Sequence, residues 1–465
     1  MSSKRDLVEA HAFSRRRLVT AFTSGAPGGR EVEPARPGRA VVAGLALGVL
    51  LLAGAALASI FAGRSPADWK DPGIVISQEN GNHYVVLAEG EPLQPVLNPV
   101  SARLLMGQVE AKSVRQEDIS KEPLGPRIGI YDAPTNLAGP ELIRNTGWTG
   151  CTTATGATRI HIGDHPRASA LAEGAFLART GEGDRATYHL VVPAGDGKGG
   201  WVRLAMGDQA AAERLISDLG LDGAVPHQVS ATWLNLFPKG PDLALASFGI
   251  PAGDDPVPYA DQMGSGDFRN GDLVVNENSG QVYVLGPEAP MLLDDFARAV
   301  YEVVSGFEGD PLPISGKSGN RIEALAAWPA DVPRRIDAEE ACAVLDAAPD
   351  RAARVVLATD PAEAESAADL PPGTVEMSVQ PGYGAYVNVG QHGDATGGTP
   401  VLVDMDARRY RLGGPQGQTA ELLGLSQVRP PTVPDAWTEG FGCGPELSQA
   451  AARRMPDPQA MARCD

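Results

Sequence analysis

Apolar and polar residues follow three different periods along this chain, and each period predicts a different element. Residues 40 to 62, AVVAGLALGVLLLAGAALASIFA, form a run of 23 without a charge. No polar face interrupts the run. As a helix at roughly 1.5 Å per residue it measures about 34 Å, enough to cross a hydrocarbon core of about 30 Å. Ala56, Leu57 and Ala58 before Ser59 have the small-residue character of a leader cleavage site. Yet the preceding arm is 39 residues long, and the run exceeds the roughly 7 to 15 residues of a leader core. The pattern predicts an uncleaved anchor. Ahead of it, Leu7, Ala10, Leu18, Ala21 and Phe22 fall near one face of a helix with Arg15, Arg16 and Arg17 elsewhere, and Ser24 to Gly29 end it. Such a basic amphipathic helix suits anionic lipid or a cytosolic partner, with Arg15, Arg16, Arg17, Leu18 and Phe22 as the contact residues.

Beyond the anchor the period shortens to two. GIVISQENGNHYVVL from Gly73 and GDLVVNENSGQVYVL from Gly271 each read as strand, Asn/Gly turn and strand. YHLVVPAGDGKGGWVRL from Tyr188 and PVLVDMDARRYRL from Pro400 repeat the idea less clearly. A helix-like pattern follows each pair, such as Leu204, Ala211, Leu215 and Leu219. This gives four hairpin-plus-helix modules, starting near 73, 187, 271 and 399. Modules two and four share a further skeleton. Pro226, Val229, Trp233, Phe237, Gly240, Pro241 and Leu243 recur with identical gaps as Pro430, Val433, Trp437, Phe441, Gly444, Pro445 and Leu447. Residues between those positions differ, so shape is what recurs. Trp and Phe four apart on a helical face are expected to wedge each module against a common core, with Gly-Pro stopping the helix.

A hairpin with one helix buries too little apolar area to fold alone, so the modules must lean on each other or on a core. That core is expected from the intervening runs, among them RIGIY, ARVVLAT and GAYVNVG. The expected fold class is therefore α+β: one transmembrane helix, then four repeats around a central mixed β core. The expected division is 1–39 arm, 40–62 span, 63–110 first repeat, 111–186 first core segment and 187–261 second repeat. Residues 262–330 form the third repeat, 331–398 the second core segment, 399–450 the fourth repeat and 451–465 a tail.

Charge sets the orientation. The first 39 residues hold eight Lys/Arg against four acids, and the whole chain carries −19, which leaves −23 on residues 40–465. Basic residues before the span place the N-terminus in the cytosol and the 403 residues after it outside. An acidic body repels polyanions, which argues against nucleic acid as a partner. Gly44 and Gly48 form a GxxxG within the span, where a second helix could approach. The four cysteines, Cys151, Cys342, Cys443 and Cys464, all fall on the oxidising side, and none is close enough to another for a CxxC site. Two disulfides are expected from three possible pairings. Cys151 with Cys342 and Cys443 with Cys464 are favoured, the second because a terminal tail needs tethering.

The chain offers little catalytic chemistry. Its Gly-Lys-Ser, Gly316 to Ser318, has Pro311 where a phosphate loop needs glycine, and Pro313 removes another amide donor. His161, Asp164 and His165 have the i, i+4 histidines of a zinc site but no intervening glutamate, and Gly163 and Pro166 disfavour a helix. No Gly-x-Ser-x-Gly elbow occurs. GYGAYVNVG, Gly382 to Gly390, reads as strand and turn, and Asp294 with Asp295 as a solvated face or helix cap. No catalytic residue, metal or cofactor is expected.

The arm RDLVEAHAFSRRRLVTAF, the single span, and an outer domain opening DPGIVISQENGNHYVVLAEGEPLQPVLNPVSARLL together resemble EccB, a membrane component of type VII (ESX) secretion systems. GPRIGI from Gly125, PKGP from Pro238 and GYGAYV from Gly382 support the resemblance, which runs nearly end to end. It implies an elongated outer domain with a disulfide-linked core. It also implies assembly with the motor ATPase EccC, with EccD and EccE, and with other EccB copies. The function expected is a structural subunit that scaffolds an export channel and its outer side. Alternatives are a nucleotide-hydrolysing accessory subunit, which would need the Lys317 region, and a cell-envelope binding module.

Overall fold

The computed structural model describes residues 3–24, 37–61, 65–223, 225–251, 255–264, 266–315 and 319–458. It divides into two units, residues 1–66 and residues 67–465. The first holds two helices, Lys4–Ser24 and Pro37–Phe61. Leu7, Leu18 and Phe22 are exposed on the shorter helix, and Val41, Leu45, Val49 and Leu52 are exposed on the longer. Among the described residues no helix is long and apolar enough to cross a membrane. The side chains described in Pro37–Phe61 stop at Ala55, short of the 62 at which the apolar run ends. Gly44 and Gly48 face open space.

Among the described residues the second unit contains five sheets, four of which share one order of strands. In the first, Gly73–Ser77, His83–Val86 and Gln94–Val96 form an antiparallel meander. A helix, Pro99–Met106, follows, and then Lys112–Val114 lies parallel to the opening strand. The chain returns to the opposite edge at Leu124, parallel to Leu93. Phe176–Thr180, Thr187–Pro193, Trp201–Gly207 and the helix Gln209–Asp218 repeat this path, closed by His227–Gln228 on one edge and Lys239 on the other. Leu273–Asn276, Val282–Leu285, Pro290–Leu293 and the helix Asp295–Ser305 do so again, closed by Leu312–Ile314 and Asn320–Arg321. The fourth uses Ala385–Gly390, Thr399–Val403, Arg408–Arg411 and the helix Gln418–Leu422, closed by Thr432–Pro434 and Gly442–Cys443.

Each unit is thus larger than the expected hairpin plus helix. It is a three-stranded meander with a parallel strand on one edge and, on the other, a second parallel strand in units three and four or isolated parallel bridges in units one and two. The reason is edge chemistry: a bare two-stranded hairpin leaves two rows of main-chain groups unpaired, and the flanking strands pair them. The first strands of units two and four, Phe176–Thr180 and Ala385–Gly390, precede the starts expected near 187 and 399. Likewise Leu124 to Ile128, expected in the core, closes the first sheet.

Local sequence explains the helices. The third strand runs into a cap whose side chain accepts an amide of the first turn: Asn98 from Ser101, Asp208 from Ala211 and Asp294 from Ala297. In the fourth unit Gly417, with φ of 79°, occupies that place and the helix is only 5 residues long. Apolar helix faces then pair the units. Pro99–Met106 packs on Gln418–Leu422 and on Gln449–Ala452, and residues of the first and fourth units share one core around Leu104, Tyr410 and Leu447. Gln209–Asp218 packs on Asp295–Ser305, and units two and three share another around Leu215, Phe296 and Trp328.

The fifth sheet is the central one. Its six strands run in the order Val375–Val379, Thr158–Ile162, Thr149–Thr153, Glu340–Asp346, Arg354–Thr359, Ser169–Ala170. Residues from both sides of the second and third units therefore meet in one sheet. Cys151 and Cys342 are directly opposed on its neighbouring strands and disulfide-bonded. Cys443 is also disulfide-bonded, and Cys464 lies outside the described residues.

Candidate functional site

The recurring skeleton is the chain's path from one edge of a sheet to the other. Val229 and Val433 sit where the first parallel edge strand ends, with the Val229 amide donating to Arg179 O and Val433 paired with Val389. A short turn follows. It is the helix Ala231–Asn235 in one copy and a single 3-10 turn, Asp435–Trp437, in the other. Trp233 and Trp437 are fully buried and join one core with Phe237, Phe441 and Trp148 against the central sheet. Trp233 Nε1 donates to Gly150 O at 2.7 Å, and its ring meets Phe237 and Phe176 edge-on at centroid distances of 5.2 and 5.6 Å. These aromatics are packing anchors with no open face for a ligand.

Gly240 and Gly444 do not stop helices. Both lie on the returning edge strand, donating their amides to Arg203 O and Arg409 O. A Cβ at Gly240 would stand 2.5 Å from Leu204 Cδ2, and one at Gly444 would run into the Tyr410 ring. Glycine is required because the strand passes under a side chain of the third meander strand. Pro226, Pro241, Pro430 and Pro445 flank these edge strands, where a missing amide costs no ladder bond.

Polar chemistry gathers on the outer face of the central sheet. Arg159 and His161 point to one side of Thr158–Ile162, beside Glu376 and Ser378 of the neighbouring strand. Arg159 is only 8% exposed. Its Nε reaches Glu376 Oε1 at 2.9 Å, its Nη1 and Nη2 reach Asp369 at 3.0 Å, and Nη1 also donates to Ser366 O. A guanidinium held between two carboxylates and a main-chain carbonyl is a fixed structural cation. Glu365, 4% exposed, accepts the Arg167 amide at 3.0 Å, and burial pushes its carboxyl up. Glu340 accepts from Ser366 Oγ and the Ala367 amide, so three charged groups pin the loop around 365 to 369.

Between this loop and the sheet lies a cavity of about 470 Å³. His161 lines it with Nδ1 2.9 Å from Ser378 Oγ, and burial, with the charge of Arg159 adding to it, lowers its imidazole below the ordinary histidine range. Asp164 and His165 sit in the turn after the strand, with His165 Nδ1 3.1 Å from Asp164 Oδ2. His161 and His165 do not share a helical face. Among the described residues no group of three His, Cys, Asp or Glu side chains is placed to hold a metal ion. Gly316 to Ser318 lie outside the described residues. The stretch after them is the two-residue strand Asn320–Arg321 and a 3-10 turn, Glu323–Leu325, neither of which offers a helix N-terminus to a phosphate.

Sequence reasoning passed over Arg159, Glu365, Asp369 and Glu376 because they lie about 200 residues apart in chain order. One signal was present: in TRIHI a charged and a titratable residue occupy the same face of an otherwise apolar strand.

Four like sheets around a central one, preceded by an apolar helix, define a repeat-built class of protein with a packed framework. The family model Type VII secretion system ESX-1, transport TM domain B, matches residues 1–460, and the chain belongs to this family, the EccB family of type VII secretion. It is 27% identical over 455 residues to the ESX-1 secretion system ATPase EccB1 of Mycobacterium tuberculosis (strain ATCC 25618 / H37Rv), covering 89% of this chain and 86% of that one. To the ESX-3 secretion system ATPase EccB3 of the same strain it is 32% identical over 191 residues, 35% of this chain and 32% of the relative. Among solved structures, a chain of the intact ESX-5 inner membrane complex superposes with a TM-score of 0.61 at 22% identity, covering 100% of this chain and 98% of that one. The EccB3 dimer from the ESX-3 core complex gives 0.60 at 22% identity over 82% of this chain and 100% of that one. At that identity the likeness is one of fold.

Proposed function

We propose that the chain is a structural subunit of an ESX-type inner membrane secretion complex, a scaffold for the export path on the outer side of the membrane. The observation that carries this reading is the end-to-end family match over a body made of four like sheets fastened to a central one. Residues 40 to 62 serve as its single span, with the N-terminal arm cytosolic and the acidic body periplasmic. The uncharged run of 23 residues and the exposure of apolar side chains around the helix support the span. The names of the similar structures, an inner membrane complex and a dimer, support assembly with further copies and with other membrane subunits. EccC, EccD and EccE are the partners proposed, with Arg15 to Arg17, Leu18 and Phe22 as the cytosolic contact and Gly44 with Gly48 as a place for helix approach.

The test is a chain truncated after residue 62. Export of the system's substrates is expected to stop while the anchor still reaches the membrane, and normal secretion by that truncate would defeat the reading. Protease added from outside should digest the body and spare the arm.

The relatives carry the name ATPase, which favours one second reading, nucleotide hydrolysis by the outer body. It would rest on Lys317. Purified chain with no nucleotide turnover, or with turnover that Lys317→Ala leaves unchanged, removes that reading.

A further inference from the structure

Two connections of the central sheet cross one of its faces. Residues 163–168 lead from its second strand to its last, and residues 360–374 return from its fifth strand, Arg354–Thr359, to its first, Val375–Val379. Ile160, Ala341, Ala343, Leu345 and Leu357 join the core of Trp233 and Trp437, which fills the inner face. The connections therefore lie on the outer one, fastened to each other where Glu365 accepts the Arg167 amide.

On that outer face Arg159, Cys151, Cys342 and Ala358 form one row across four adjacent strands. Glu340, two residues before Cys342, points to the same side. Ser366 is held between them. Arg159 Nη1 donates to its carbonyl, and its Oγ donates to Glu340 Oε2 at 2.7 Å. Because the strand of Cys151 runs between those of Arg159 and Glu340, the chain at Ser366 passes over the disulfide. Both cysteines are fully buried beneath it.

This cover is held down by side chains. Among the described residues, main-chain to main-chain bonds of residues 361–372 reach nothing outside residues 361–374. Arg159 holds Ser366 and Asp369, Glu340 holds Ser366 and the Ala367 amide, and Glu365 holds the neighbouring connection. Ala367 is its one fully buried apolar residue. Asp360 and Gly373, with φ of 52° and 71°, turn the chain at its two ends. Ala364 and Glu365 line the cavity, so one side of the segment stands off the sheet. Few apolar contacts and no ladder bonds put such a segment at the low end of local opening free energies, and a sheet with a packed face at the high end.

We propose that residues 361–372 are a lid over the Cys151–Cys342 bond, which opens while the six-stranded sheet stays folded and admits a thiol reductant. In the open state one thiolate of a dithiol attacks either sulfur and the other cysteine leaves as a thiolate. The second thiolate of the dithiol then displaces the first cysteine from the mixed disulfide. The dithiol is oxidised to a disulfide, and its two protons end on Cys151 and Cys342. Reduction then unlinks the two halves of the central sheet in a chain that is otherwise folded.

The test compares two protections in the full chain. Reduction by dithiothreitol is measured against an exposed model disulfide, and exchange of the Ala341 to Leu345 amides against an unstructured peptide. The disulfide should be less protected than those amides by about tenfold or more. Asp369→Ala and Ser366→Ala each remove one fastening, and each should speed reduction by about threefold or more while amide protection stays the same. Equal protection of the bond and the amides would overturn the lid, since the sheet itself would then be the barrier. So would reduction at the wild-type rate in both variants. The wild-type comparison needs no substitution and stands even if a variant misfolds.

Discussion

Trp437 donates its indole hydrogen to the carbonyl of Leu236 at 3.3 Å, so one copy of the recurring skeleton is hydrogen-bonded to the other. His392 Nε2 lies 3.0 Å from Asn235 O and adds a second link between the same units. Sequence separation at this contact is 201 residues, and both tryptophans belong to one core. Each Trp→Ala change should cost about 3 to 5 kcal/mol, and the double variant should depart from the sum by about 0.5 to 3 kcal/mol because the two share neighbours. Trp437→Phe keeps most of the ring but strands a buried carbonyl, for about 1 to 3 kcal/mol. Urea unfolding of the four chains measures the cycle; strict additivity would mean the skeletons pack independently.

A glycine stands at one equivalent place in all four units: Gly125, Gly240, Gly319 and Gly444, each followed three residues later by a buried Ile128, Leu243, Ile322 or Leu447. Each passes under the third meander strand, at Gln94, Leu204, Pro290 and Tyr410 respectively. What a methyl group would meet grades the cost of substitution to alanine. At Gly125 the obstacle is the end of the flexible Gln94 side chain, and at Gly319 it is the rigid main-chain carbonyl of Pro290. Gly125→Ala should cost under about 1 kcal/mol, Gly240→Ala and Gly444→Ala about 1 to 3, and Gly319→Ala about 3 or more. Thermal melts that rank the four differently would show that the strand can shift.

This glycine also shows where sequence reading stopped. In units two and four it is embedded in a seven-residue skeleton with tryptophan and phenylalanine, so the repeat was visible. In unit one Val114, Gly125, Pro126 and Ile128 keep the spacing but the two aromatics are gone, and in unit three only the glycine and the aliphatic residue survive, because these units pack through Leu104 and Phe296 and do not press a tryptophan onto the central sheet. Hairpin turns were legible because Asn80-Gly81 and Ser279-Gly280 state their geometry locally, both glycines having φ near 70°. The flanking parallel strands were not, since a two-residue strand such as His227–Gln228 carries no period. Likewise the Arg159 cluster joins Asp369 and Glu376 to a strand more than 200 residues earlier, and no local pattern encodes such a meeting.

Cys151 and Cys342 are paired across adjacent antiparallel strands, fully buried against Ala358. Their bond closes a loop of 191 residues, worth roughly 4 to 5 kcal/mol in the chain-entropy account. The double Cys→Ser variant should lose about that much against urea. Because neither sulfur is accessible in the folded state, dithiothreitol should reduce this bond only as fast as the structure over it opens. Reduction at the rate of an exposed model disulfide, with the sheet still folded, would contradict the burial.

Histidine burial makes the body acid-sensitive. His189 is pushed down to about 4, first by burial and then by the charge of Arg203, from an ordinary value of 6.5. His161, His227 and His392 are lowered for the same leading reason. Unfolded, these groups take up protons near pH 6.5, while the folded chain resists until lower pH, so the unfolded state binds more protons in that window. Stability therefore falls as pH falls from 6.5 toward 4. Glu365 and Asp404, raised by burial, act in the opposite sense, with the folded state holding protons above their ordinary range. A variant isolates the histidine contribution. His189→Asn should recover about 2 kcal/mol of the loss between pH 7 and pH 4.5, the energy of its depressed ionisation discounted for partial exposure. Urea midpoints of the wild-type and variant chains at the two pH values give the difference, and parallel losses in both chains would show that His189 is already hydrated when folded.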